Sequence, residues 1–204
     1  MASPVDICKL ALGHLGDGTN IESISPPDGT RQAELCAQFY PVARDTLLEF
    51  GWSFNTRRAA LALLEVPVPD GWLYAYALPA SCMKPLEVRS PLSRDDLDTE
   101  DFITESLDDS SRVIYTNAPE AQLKFLVRVT DTTRWTPGFI YALSWLLASL
   151  LAGPLLKGRA GVAAARDARS HFRQAAAEAH ASDANTAQQS GRYKDHKPNW
   201  ISDR

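Results

Sequence analysis

Cysteine is nearly missing from this chain. Three stand among 204 residues (Cys8, Cys36 and Cys82), far apart and odd in number, with no Cys-x-x-Cys pair. Three thiols close no disulfide framework, so they read as small buried hydrophobes in a reducing compartment. Histidine is equally sparse: His14, His171, His180 and His196 form no i, i+4 pair and no His-Glu-x-x-His, which leaves a metal site unsupported. No phosphate-cradling glycine loop and no Gly-x-Ser-x-Gly elbow occur. Carboxylates are common, but none is placed for paired acid–base work. The expectation is a non-enzymatic protein without cofactor or metal. The N-terminal MASPVDICKLALGHLG carries Asp6 and Lys9 inside its apolar run and no basic stretch ahead of it. It is therefore not expected to act as a signal peptide, and synthesis in the cytoplasm is the default.

A surplus of either charge is also lacking. The formal net charge is −4, which gives no global pull toward nucleic acid or an anionic membrane. Locally the balance fails: residues 95–109 hold eight carboxylates (Asp95, Asp96, Asp98, Glu100, Asp101, Glu105, Asp108 and Asp109) and no cation. Asp96-x-Asp98-x-Glu100 resembles the start of a calcium loop, but Asp101 stands where the glycine belongs and Leu107 where the bidentate glutamate belongs. A solvated acidic loop is the better reading.

What is present is hydrophobic periodicity. Hydrophobic residues make up 45% of the chain, enough at this length for a real core. Residues 3–16 read as a helix, with Ser3 to cap it, Pro4 at its first position and Val5, Cys8, Leu12 and Leu15 on one stripe. ISPPDGT (24–30) reads as a turn. A second helical pattern follows as far as Glu49, and Pro41 inside it is expected to kink or divide the helix. Short strands are expected near 72–78, 85–89, 111–116 and 122–130, the last with Leu123, Phe125, Val127 and Val129 on one face. A last, alanine-rich helix spans 161–181. In it Arg166, Arg169 and Arg173 form a basic stripe opposite Val162, Ala165, Phe172, Ala176 and Ala179. The polar stretch from 183 onward reads as an extended tail. Trp52 and Phe54, followed by Arg57 and Arg58, suit either base stacking with phosphate clamping or a core pair with arginines at its rim; the core reading is favoured.

The longest uncharged window is 135–156, which includes FIYALSWLLASLLAGPLL. Pro137-Gly138 and Gly153-Pro154 bracket a regular helix over 139–152, about 21 Å at 1.5 Å per residue. That falls short of a hydrocarbon core of about 30 Å. A helix packed inside protein, in part by neighbouring subunits, is expected in place of a membrane-spanning segment. The architecture expected is α+β: a helical bundle from 1–51 and 137–182 (N-terminal helices plus two C-terminal helices), a small antiparallel β-sheet inserted over 52–136, and an extended C-terminal tail over 183–204.

ALGHLG with Ile21-Glu22-Ser23-Ile24 after it, YPVARDTLLEFGWSFNTRRAAL (40–61), WLYAYALPASC (72–82), FIYALSWLLASLLAGPL and the closing Asn199-Trp200-Ile201 follow one another in order. Over almost the whole chain they resemble the tail tubular protein A family, the head-to-tail adaptor or gatekeeper of short-tailed bacteriophages. These are core and turn patterns, and the segment 90–117 carries least of the likeness. The resemblance implies a structural protein of the virion tail or neck, assembled in the host cytoplasm. It would self-associate into a ring, commonly of twelve copies, joining the portal protein to the tail nozzle, a tubular protein B-like partner. The genome would pass through with passive contact. It also implies portal contact by the last helix and tail, through Arg166, Arg169, Arg173, Tyr193, Trp200 and Ile201, with the β-rich part facing the tail. Subunit contact is expected at Phe139, Leu143, Leu146, Leu147 and Leu150. The acidic loop would face the nozzle or line the channel, where negative charge keeps DNA from sticking. Two alternatives stand beside it: a phage-tail peptidoglycan hydrolase, for which no residue can be nominated, and a DNA-binding module using Trp52, Phe54, Arg57 and Arg58.

Overall fold

The computed structural model of the chain describes residues 2–91, 99–107 and 111–188. The class is α+β, and contacts divide it into two units: Met1–Ala43 with Trp135–Arg204, and Arg44–Arg134. The first division therefore falls inside a helix, eight residues before the expected boundary at 51.

In the helical unit, α1 (Pro4–His14) opens on a capping box, in which Ser3 Oγ accepts from the Asp6 N–H (3.1 Å) and Asp6 Oδ2 accepts from the Ser3 N–H (2.8 Å). α2 (Arg31–Leu48) begins in this unit and ends in the other. Of the kink or division expected at Pro41, the division does not occur: the helix is continuous through it. Ala33, Cys36, Tyr40, Ala43 and Leu47 are all buried at 3-4-3-4 spacing, so one apolar row runs through the proline. Pro41 itself is exposed, and only its own missing N–H is lost to the ladder.

α3 (Pro137–Leu156) is capped by Thr136, whose Oγ1 accepts from the Phe139 N–H (3.2 Å). The helix does not stop at Ala152. It carries Pro154 in its last turn and reaches 20 residues, about 30 Å. By length and composition it is long and apolar enough to cross a bilayer, so length no longer argues against a membrane; half of its apolar window is buried within the protein. Lys157 and Gly158, both at φ 52°, turn the chain into α4 (Gly158–Gln188). This helix is longer than the expected 161–181, and residues 183–188, read as tail, belong to it. α3 and α4 run antiparallel at close range. A Cβ on Gly138 would stand 2.9 Å from the Ala179 Cβ, and one on Gly161 would stand 3.0 Å from the Ala152 carbonyl oxygen.

The second unit holds two antiparallel sheets where one was expected. The first is ordered β1 (Thr56–Ala60), β7 (Gln122–Val127), β4 (Cys82–Arg89). The second is ordered β2 (Ala62–Leu63), β3 (Tyr74–Ala77), β6 (Arg112–Thr116), β5 (Phe102–Ser106). β1 and β2 are one strand interrupted at Leu61, and a bridge from Val88 to Glu100 joins the far sides of the two sheets. The expected face of Leu123, Phe125, Val127 and Val129 is buried. The second sheet is covered on an additional face: Ala75, Val113 and Tyr115 pack with Leu64, Val66, Val68, Trp72 and Leu107. That is why Ala75 and Tyr76, neighbours with opposite side-chain directions, are both buried.

Candidate functional site

The surface that stands out on the helical unit is one flank of α4. Its inner row is built from Gly161, Ala168, Phe172, Ala175 and Ala179, small residues that let α3 approach closely. Val162, expected in this row, is 61% exposed because it lies one position out of phase. Arg166, Arg169 and Arg173 are exposed, and none makes an ion pair with the described residues. The guanidinium of Arg169 lies 5.5 Å over the Phe172 ring, which braces the middle of the row. At 100° per residue Asp167 and Glu178 fall on the opposite flank, so the cations are not neutralised by their own helix. Tyr193, Trp200 and Ile201 lie outside the described residues.

The residues expected at the subunit interface take a different role. Phe139, Leu143 and Leu147 are fully buried and Leu146 is 2% exposed, all inside a single chain, so they are core and leave nothing for a neighbour to cover. Leu150 is half-buried. The large hydrophobic residues that α3 exposes are Tyr141 and, at its end, Leu156.

Beside Tyr141 lies a cluster that the sequence did not announce. His14 stacks on Trp145 (3.6 Å between centroids, 7° between planes), and His171 stacks on the same indole (4.5 Å, 28°). Tyr141 meets both His14 and Trp145 edge-on. Ser144 gives its hydroxyl proton to the Tyr141 carbonyl (2.7 Å), so His14 Nε2, 3.0 Å from Ser144 Oγ, is the donor in that contact. Burial, and then the charge of His171, hold the His14 pKa below its ordinary value. Only the i, i+4 spacing of Tyr141 and Trp145 hinted at an aromatic face. In the core nearby, the buried thiols of Cys8 and Cys36 share a hydrogen bond that pushes Cys8 up.

In the β-unit Trp52 is 1% exposed and its Nε1 donates to the Leu47 carbonyl (2.8 Å). It is therefore core, as favoured, and offers no face to a base. Arg57 and Arg58 are exposed on β1. A concavity of about 350 Å³ is lined by Glu49, Ser81, Cys82, Met83, Arg112 and Arg128, among others. Arg112 Nη1 donates to the Cys82 carbonyl (3.0 Å), and Arg128 Nε meets Asp45 Oδ2 at 3.1 Å. Glycoside hydrolysis takes two carboxyl groups across the bond; this concavity offers Glu49 alone. Among the described residues no group of three or more His, Cys, Asp or Glu is placed to hold a metal ion. Of the acidic segment, Asp95, Asp96, Asp98, Asp108 and Asp109 lie outside the described residues, whereas Glu100, Asp101 and Glu105 are exposed at β5.

Against known proteins, no family model matches this chain, and no curated protein matches it.

Proposed function

We propose that this chain is the subunit of a phage head-to-tail adaptor, a non-enzymatic ring that joins the portal to the tail nozzle and surrounds the path of the genome. The observation that carries the reading is the length and charge of α4. Its 31 residues extend about 46 Å, against about 30 Å for the 20 of α3. Ala179 already lies level with Gly138 at the beginning of α3, so the last turns of α4 run on past their partner helix. A helix that outlasts its packing partner and carries an unneutralised arginine flank suits docking on an acidic protein surface. The ordered likeness to tail tubular protein A supports the same assignment, with the portal as the surface docked on and the β-unit directed to the nozzle.

The test is co-sedimentation of the purified chain with portal rings, together with its mass alone and in the mixture. Arg166→Glu/Arg169→Glu/Arg173→Glu is expected to abolish co-sedimentation, as is deletion of the residues after Ala181. Unchanged binding by both variants would refute the docking surface. A monomer that ignores the portal would sink the adaptor reading itself.

A further inference from the structure

We propose that strand β5 of one copy of this chain pairs, antiparallel, with strand β1 of a second copy, continuing the three-stranded sheet across the contact. The proposal deepens the adaptor reading and rests on it for closure into a ring; the pairing stands on the geometry of two open sheet edges.

The first edge is β1. The Leu61 N–H donates to the Ala121 carbonyl (2.9 Å). By the alternation of an antiparallel ladder, Arg57 and Ala59 likewise turn their backbone groups to β7, and Thr56, Arg58 and Ala60 turn theirs outward. The strand's own continuation, β2, uses that outward side to pair Ala62 with Ala77. Extending that ladder would set Ala60 opposite Pro79, which has no N–H, and there the pairing ends. The second edge is β5. The Leu107 N–H donates to the Ser111 carbonyl (2.8 Å), so Ile103 and Glu105 bond β6 while Phe102, Thr104 and Ser106 face outward. On that side the Glu100 N–H reaches the Val88 carbonyl (2.9 Å), and beyond it β5 has no strand neighbour among the described residues. Four of the five β5 residues are exposed.

The charges of the two edges are opposite. β1 reads TRRAA. Arg58 sits across from Lys124, and both Glu87 oxygens are already engaged by Lys124 (2.8 Å) and Arg89 (2.9 Å). β5 reads FITES, preceded by Glu100 and Asp101. Exposed edges are commonly blunted by charge against pairing with copies of themselves. Here β1 on β1 sets Arg58 against Arg58, and β5 on β5 gathers carboxylates with no cation. The remaining combination attracts. Matching the three outward residues of each strand fixes one register: Thr56 with Ser106, Arg58 with Thr104 and Ala60 with Phe102. The intervening residues then meet as Arg57 with Glu105 and Ala59 with Ile103. An ion pair and an apolar pair thus fall at the positions where side chains stand closest, about 4.5 Å between Cα atoms. Because β1 and β5 are different surfaces, the contact is heterologous and propagates from copy to copy, closing as a ring where the rotation permits.

The experiment uses the full chain, with and without portal rings. Ala59→Cys/Ile103→Cys is oxidised and run without reductant. The native thiols are at most 5% exposed, and the new pair falls within disulfide reach. A ladder of covalent multimers is expected, whereas Ala59→Cys alone stays monomeric. Arg57→Glu and Glu105→Arg are each expected to weaken self-association by about fivefold, and the double exchange to restore it. No ladder, dimers from Ala59→Cys alone, or a double exchange no better than the single ones would overturn the pairing. Portal docking without a ladder would remove this inference and leave the adaptor reading; a ladder without portal docking would do the reverse.

Discussion

Asn55 closes the end of one helix and launches the strand that follows. Its Nδ2 donates to the Leu48 carbonyl (2.9 Å), and its Oδ1 accepts from the Trp52 N–H (2.8 Å), all in a fully buried setting. With Trp52 Nε1 on the Leu47 carbonyl, two side chains add a second donor to the last carbonyls of α2, which already accept the Phe50 and Gly51 N–H groups (3.3 and 3.2 Å). Asn55→Ala takes the Oδ1 acceptor from the Trp52 N–H and one of two donors from the Leu48 carbonyl. It is expected to cost about 1–3 kcal/mol in urea unfolding; a cost below about 0.5 kcal/mol would show that water replaces the side chain. His14 supplies a pH dependence. Its folded-state pKa lies below 6.5, so the unfolded chain binds the proton more readily. The stabilisation is complete above about pH 6.5 and declines as pH falls through that value toward the folded pKa. Between pH 7.5 and pH 5 the thermal midpoint should drop further for the unaltered chain than for His14→Gln; equal drops would remove His14 from the account. Neither role was legible in sequence. Asn55 stands between Phe54 and Arg57 with nothing in its spacing to mark it, and the partners of His14 lie some 130 residues away.

Elements were more legible than their limits. α1 announced itself through Ser3, Pro4 and Asp6, and β7 through strict alternation, because local chemistry decides both. β1, β2 and β5 escaped notice, since short edge strands such as TRRAA and FITES need no apolar alternation. The prolines misled in one direction. Pro41 suggests a kink or a division and Pro154 an end at Ala152, yet packing along the whole of α2 and α3 outweighs one lost hydrogen bond at each. For Pro41 this gives a direct expectation. The residue is exposed within a continuous helix, and Pro41→Ala restores an N–H toward the Ala37 carbonyl. A gain of about 1–3 kcal/mol is expected, seen as a rise of at least about 2 °C in thermal midpoint. A fall would mean that the proline shapes the helix for the contacts it makes.

Over the whole molecule the modest net charge hides a polar distribution. Residues 44–134 carry fifteen Asp and Glu against ten Lys and Arg, while residues 157–204 carry nine Lys and Arg against five Asp and Glu. The same chain therefore offers an acidic β-unit and a basic C-terminal segment. This asymmetry, unlike the tertiary contacts, could be read from sequence, because charge counts need no geometry. What geometry adds is exposure: Arg166, Arg169 and Arg173 all reach solvent on one flank of α4. Exposed charges act over the Debye length, about 10 Å at 0.1 M salt and about 3 Å at 1 M. The docking of α4 proposed above, on an acidic partner surface, should therefore weaken steeply across that range, chiefly through slower association. Co-sedimentation with portal rings at the two salt concentrations measures it. The unaltered chain is expected to be lost from the pellet at 1 M, and the triple arginine-to-glutamate variant to be absent at both. Retention undiminished at 1 M would mean that an apolar contact holds the complex, and would move the docking surface away from the arginine flank.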